Sequence, residues 1–338
     1  MFISLFLCRN ASGKFLSMGT TTLAWNINNT AKNGSYTEMF SCITTFNILN
    51  LLTIIIALVG LAGNAIVLWL LAFHLHRNAF SIYVLNLAGA DFLYLCTQIV
   101  YSLECVLQLD KSTFYFLLIL SMFAYLAGLC MIATISAERC LSVMWPIWYH
   151  CQRPTHTSVI MSVLLWVFSI LLSLLVGLGC GFLFRYSEFY FCSTLNFITA
   201  AFIIGLSVVL CVSSLALLVK IICGSHRIPV TRLFVTIALT VTVFIIFGMP
   251  LGICWFLFSS IIEFHRIFSN NFYEMIAFLS CINSCANPII YFLVGSIRHH
   301  RLQWQSLKLL LQRAMQDTPE EVSGERGPSE RSGELETV

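Results

Sequence analysis

The sequence predicts an all-α membrane protein, a seven-transmembrane helix bundle followed by a cytoplasmic amphipathic helix. Composition is the first ground. Of 338 residues, 59% are hydrophobic and only 10% charged, whereas a soluble domain carries roughly 25% charged residues. Most of this chain cannot face water. The second ground is the shape of its apolar runs. Only helices and closed barrels can cross lipid, because every backbone polar group must be satisfied internally. Barrel strands read as alternating segments of about ten residues; here the runs are far longer and do not alternate. Third, Phe is abundant at 28 and Pro scarce at 7, which suits long apolar helices.

Taken in order, residues 1–46 form an N-terminal segment in which Asn10, Asn28 and Asn33 each open an N-x-Ser/Thr acceptor for glycosylation. Residues 2–8 are apolar but too short for a signal peptide and lack a preceding basic region, so the first span is expected to act as the anchor. Met18 is an alternative start. Seven runs follow near 47–73, 80–106, 113–143, 157–183, 195–223, 231–261 and 271–295, each long enough for a hydrocarbon core of about 30 Å. Together they make a bundle over 47–295. Residues 296–316 predict a further helix on which Trp304, Leu307, Leu311 and Met315 share a stripe, with Arg298, Arg301, Lys308 and Arg313 around it. A basic amphipathic helix of this kind lies on the anionic inner leaflet, so membrane lipid is an expected partner. The tail, 317–338, is acidic, poor in apolar residues and expected to be disordered.

Orientation follows from the cations. Loops holding Arg77, Arg153, Lys220, Arg227, Arg232, Arg298 and Arg301 outweigh those holding Lys111, Arg185 and Arg266. The positive-inside rule then puts the N-terminus outside, where the three acceptors also lie. The predicted location is the plasma membrane, crossed several times. Net charge is only +3 and points to no nucleic-acid partner. Most of the fourteen cysteines sit inside apolar runs, as Cys96, Cys130, Cys211 and Cys281 do, and act there as small polarizable core residues.

Polar residues at membrane depth are expensive and need partners. Asp91 lies in mid-span with no basic residue in its own helix, and Asn64, Asn283 and Asn287 are buried in other spans. Each asparagine either bonds a nearby backbone carbonyl or converges on Asp91; convergence is the expectation, since a lone carboxylate in lipid is too costly. Pro250 and Pro288 each delete a helical hydrogen bond and kink the sixth and seventh spans. Glu138-Arg139 closes the third span, where an ordinary snorkelling pair explains it as well as a functional one.

Together these features resemble the rhodopsin-like G-protein-coupled receptors over residues 45–315. The marks are Gly63-Asn64, Asp91, Glu138-Arg139-Cys140, Trp166 and Asn287-Pro288-Ile289-Ile290-Tyr291. The stretches NAFSIYVLNLAGADFLYL, ERCLSVMWPIWYHCQRPTH, NPIIYFLVGSIRHH and LLLQRAMQDTPEE resemble the Mas-related receptors more closely, in their rodent B and primate X branch. The resemblance implies a receptor, not an enzyme, that senses a peptide or small amphiphile in sensory neurons or mast cells and acts in itch, nociception or degranulation. It needs no cofactor. Its implied partners are an extracellular ligand, a heterotrimeric G protein of the Gq or Gi class, and arrestin, with Thr318, Ser323, Ser329, Ser332 and Thr337 as tail phosphorylation candidates. Residue by residue, Glu138 and Arg139 face the G protein, Ile147 packs into a hydrophobic pocket of its α-subunit, and Asp91, Asn287, Pro288 and Tyr291 rearrange on activation. Residues 221–233 hold no acid that could lock Arg139 to the sixth span, so we expect agonist-free output above that of untransfected cells, measured as second messenger. Output equal to that background would reject this expectation.

Several departures from the family concern the outer end. No cysteine stands near Phe114 at the start of the third span; the resemblance implies instead a Cys180–Cys192 bond, with free thiols as the alternative, leaving the pocket shallow and open. Gly248 replaces the tryptophan usual before Pro250, which leaves Trp255, higher in the same span, as an aromatic trigger or a lipid-interface residue. Ser121 stands at the amine-binding position, about five turns above Arg139, so a monoamine lacks its ion pair. Gly128 stands where a hydroxyl is usual, which puts sodium at Asp91 in doubt and leaves no metal site. Where relatives that bind cations carry two acids, this chain has Val176 and Asn196. The expected pocket is apolar and aromatic, lined by Tyr101, Tyr125, Tyr190, Trp255 and Phe272, with Glu104, Glu188, Glu263 and Glu274 as rim charges. A transporter would show repeats and a chain of ionisable residues across the membrane, and neither is present. A non-signalling membrane scaffold is opposed by the intact Arg139 and NPIIY run.

Overall fold

The computed structural model describes residues 48–73, 79–107, 110–154, 156–181, 189–223, 232–254, 270–296 and 311. Seven of its helices are long and apolar enough to cross a membrane, and the described residues contain no strand. They are α1 (Ile48–Phe73), α2 (Ala79–Ser102), α3 (Lys111–Met144), α4 (Thr157–Gly181), α5 (Phe189–Cys223), α6 (residues 232–252) and α7 (Asn270–Ser296). Short helices Glu104–Leu107 and Pro146–Cys151 follow α2 and α3.

The helix ends have local causes. The Asp110 carboxylate accepts the amides of Ser112 and Thr113 at 3.0 and 3.2 Å, so α3 begins two residues earlier than its apolar run predicts. The Thr113 hydroxyl and amide, with the Ser112 amide, hold that carboxyl below its usual range. At the other end Trp145 leaves the helical region at φ −128°, ψ 66° because Pro146 follows it. Pro146 then opens the short helix, where its missing N–H costs nothing. Helix α5 starts six residues before the expected 195; the polar run Cys192-Ser193-Thr194 hid its first turn, where the Thr194 hydroxyl bonds the Tyr190 carbonyl at 2.7 Å.

Helix α3 is the axis of the bundle, and much of its middle, from Met122 to Ile135, is buried. Helices α4 and α5 bury one side only and turn Leu171, Leu175, Val212 and Leu215 outward, as lipid-facing helices do. Lipid gives helices no hydrophobic reason to associate, so close backbone approach and interhelical hydrogen bonds must do it. Both are present. Gly60 and Gly63 bring α1 against Cys285 and Pro288 of α7. The Ser136 hydroxyl of α3 meets those of Ser213 and Ser214 of α5 at 2.6 and 3.1 Å. The Trp166 indole N–H of α4 donates to the Asn86 side-chain Oδ1 of α2 at 2.8 Å.

Two prolines shape the last two spans differently. In α7, Pro288 lies inside a continuous helix and orphans the carbonyl of Ser284, four residues back. In α6 the helix widens into a π-helical stretch at Phe244–Gly248 just ahead of Pro250, and the Met249 N–H reaches back five residues to the Phe244 carbonyl. The expected kink at Pro250 is therefore combined with a π-bulge, a recurrent device at functional sites.

Candidate signalling site

At the Asp91 level the convergence expected from sequence is only partly correct. The Asn287 amide donates to the Asp91 carboxylate at 2.7 Å, linking α7 to α2. Asn64 does not join them: its amide donates to the carbonyls of Gly60 and Ser284 at 3.0 and 3.1 Å. It thus satisfies the carbonyl that Pro288 orphans, a more pressing need than a second bond to Asp91. Asn283 also stays apart, its Cγ 3.1 Å from where a Cβ on Gly248 would fall. Gly128 faces Asp91 across van der Waals distance and offers it no hydroxyl. Tyr291 and Pro288 are buried nearby in α7.

At the end of the bundle that carries Arg139, this guanidinium is 5% exposed and lies over the Phe80 ring, 4.2 Å from its centroid. Its neighbour Glu138 is held from outside α3. Glu138 Oε1 accepts the Tyr83 hydroxyl at 3.1 Å and Arg153 Nη2 at 2.9 Å. Burial first, then the Glu138 carboxylate, pushes the Tyr149 hydroxyl up to about 12. Ile147, on the short helix between α3 and α4, is 80% exposed and available to a partner. A cleft beside Arg139, between α2, α3, α6 and α7, is lined by Phe80, Ile135, Thr240 and Tyr291 among others. Sequence reasoning named Glu138, Arg139, Ile147 and Tyr291 but missed Tyr83, Phe80 and the part played by Arg153. Spacing carries no sign of them, because the contacts join residues 15 and 55 positions apart.

At the opposite end Cys180 and Cys192 are bonded, with Cα atoms 4.8 Å apart, tying α4 to α5. Where the usual cysteine is missing, Phe114 packs edge-on against Tyr101 at 5.6 Å. Val176 and Asn196, one turn on either side of the disulfide, are 3% and 7% exposed, and the Asn196 amide points at Cys192 Sγ at 3.7 Å. Phe272 is half-buried against the core. Two other candidate lining residues, Tyr190 and Tyr125, lie in contrasting surroundings. Tyr190 is 82% exposed and stands outside the packed bundle, because it falls on the outer face of the extra first turn of α5. Tyr125 is buried, and its hydroxyl donates to the Gly248 carbonyl at 3.2 Å. A Cβ on Gly252 would lie 2.6 Å from that hydroxyl, so Tyr125 joins α3 to the bulged part of α6 rather than offering a free hydroxyl. Ser121, at the amine position, accepts the Gln98 amide at 3.0 Å, both side chains buried; Gln98 was not foreseen. Trp255, Asn10, Asn28, Asn33, Glu188, Glu263, the amphipathic stripe except Leu311 and the tail lie outside the described residues.

Seven membrane-competent helices, a bonded Asp91–Asn287 pair and an arginine beside a cleft at one bundle end define a seven-transmembrane receptor. The family model for the 7 transmembrane receptor (rhodopsin family) matches residues 63–291. The chain is 83% identical over 321 residues to the Mas-related G-protein coupled receptor member B4 of Mus musculus, covering 95% of this chain and 100% of that protein. It is 67% identical over 339 residues to member B5 of Rattus norvegicus, covering 100% and 96%. To member X2 of Pongo pygmaeus it is 51% identical over 311 residues, covering 90% and 94%. The chain belongs to the Mas-related G-protein coupled receptors.

Proposed function

We propose that this receptor senses a peptide or small amphiphile that is not strongly cationic, at the bundle end holding the Cys180–Cys192 bond. That end faces the outside, with an extracellular N-terminus glycosylated at Asn10, Asn28 and Asn33. Sensory neurons or mast cells are its expected setting. The Arg139 end faces the cytoplasm, where Arg139 and Ile147 engage a G protein of the Gq or Gi class, with arrestin acting on the phosphorylated tail. The positive-inside bias of Arg153, Lys220 and Arg232 supports this orientation.

One observation carries the ligand reading: the two positions flanking the disulfide, Val176 and Asn196, are buried and neutral. A desolvated ion pair at such a place contributes several kcal/mol, so a pocket without it gives up the tight binding of polycations. Tyr101 and Phe272, the candidate lining residues among the described ones, are aromatic, and Glu104 and Glu274 are the rim charges expected beside them.

The test is a panel of cationic secretagogues and neutral amphiphiles, with calcium and cyclic-AMP output recorded per receptor at the surface. Wild type is expected to answer the neutral compounds and to be weak toward polycations. Val176→Glu combined with Asn196→Asp is expected to raise polycation potency by about tenfold or more, since about 1.4 kcal/mol suffices. A strong polycation response from the wild type would remove the basis for this reading.

A further inference from the structure

We propose that Arg153 is a positioning residue for G-protein coupling, which clamps the short helix Pro146–Cys151 to the end of α3 through Glu138. The proposal rests on the receptor class alone and is independent of the ligand reading. Arg153 lies just beyond the short helix, two residues after Cys151. Its Nη2 donates to Glu138 Oε1 at 2.9 Å and to the Ser158 hydroxyl at 2.7 Å. One guanidinium nitrogen thus joins the end of α3, the exit of the short helix and the first turn of α4. Its guanidinium also lies over the Tyr149 ring, 5.0 Å from the centroid, so it grips the short helix from its own side.

The clamp is built rather than incidental. The Arg153 and Glu138 side chains are 8% and 14% exposed, and Ser158 is 1% exposed. Exposed ion pairs hold little because water screens them and long side chains wander. Here packing has already fixed both partners, so the geometry is kept. What the clamp presents is Ile147, 80% exposed on a six-residue helix. A helix that short is not stable alone in water; its backbone bonds, such as Gln152 N–H to the Trp148 carbonyl at 2.9 Å, need an anchor at each end. Trp145-Pro146 anchors its start and Arg153 its finish. The same contact keeps the Glu138 carboxylate turned toward Tyr83 and Arg153.

The experiment compares wild type with Arg153→Gln, Arg153→Lys and Ser158→Ala in purified full-length receptor fused to a Gα subunit. Two quantities are read: hydrogen exchange of the amides in 146–154, and nucleotide exchange on the fused subunit per folded receptor. Arg153→Gln is expected to speed amide exchange in that segment alone. It should also lower nucleotide exchange at least about fivefold, the lower end of ordinary coupling between sites. Lys keeps the charge but not the fork and is expected to restore most of both. Ser158→Ala, which spares the ion pair, should move both the same way by less. If Arg153→Gln does not fold, Ser158→Ala and Arg153→Lys decide. Unchanged amide exchange in 146–154, or unchanged nucleotide exchange, would overturn the proposal. So would a Lys variant no better than Gln.

Discussion

Gly60→Leu is expected to remove nearly all folded receptor, whereas Val59→Ala beside it, at a side chain 54% exposed, should be tolerated. A Cβ at position 60 would stand 2.7 Å from a methyl of Leu95, 3.1 Å from the Cβ of Cys285 and 3.2 Å from its Cα. The leucine methyl can swing away, but the Cys285 backbone cannot move without dragging α7. That helix carries Asn287 to Asp91 and receives the Asn64 amide at Ser284. Ordinary overpacking costs roughly 1–3 kcal/mol. Here four carbons would be forced into a three-helix junction, so the cost should reach the top of that range or exceed it. The measurement is the thermal midpoint and yield of monodisperse receptor in detergent by fluorescence size-exclusion. A Gly60→Leu variant with wild-type yield and midpoint would show that α1 is free to move off α7.

The second large effect is expected from Cys180→Ser with Cys192→Ser, the double change leaving no stray thiol to mispair. The bond closes a loop of sequence separation 12, for which constraint of the unfolded chain contributes about 3 kcal/mol. No cysteine stands at the start of α3 to substitute; Phe114 there meets the rings of Tyr101 and Tyr115 edge-on. The double variant should lose most surface receptor, and whatever reaches the surface should respond to agonist with lowered potency, because Val176 and Asn196 lie one turn from the broken bond. Surface staining and dose–response curves check this. Intact expression and potency would mean that the bond neither stabilises this end nor shapes its pocket.

The bundle was legible in the sequence because lipid imposes one rule on every span: long, apolar and helical. Seven runs met that rule, and seven membrane-competent helices are found among the described residues. Boundaries erred where a local cap outranked hydropathy, as Asp110 does at α3, or where polar residues fill a helical turn, as at 192–194. The candidate site was legible only as a set of residue types. Asn287 and Asp91 were correctly paired because a buried carboxylate must find a donor. Asn64 was misassigned because the competing need, an orphaned Ser284 carbonyl, belongs to another helix and is set by Pro288. The bond from Tyr125 to Gly248 was not legible because a tyrosine in a span says nothing about its facing neighbour. Gly248 and Gly252, which let it approach α6, are glycines whose purpose appears only in contact.

The sequence by itself determined the class: the spans, the uneven spread of cations between their loops, the missing cysteine near Phe114 and the neutral pair Val176 and Asn196. These are properties of composition and order, and solvation energy acts on them one residue at a time. Only the tertiary structure decided which polar groups meet. It gave Ser284 to Asn64, Gly248 to Tyr125, Ser121 to Gln98 and Glu138 to both Tyr83 and Arg153. The physical reason is directional: a hydrogen bond needs about 3 Å and a suitable angle, and helices far apart in the chain supply these only once packed.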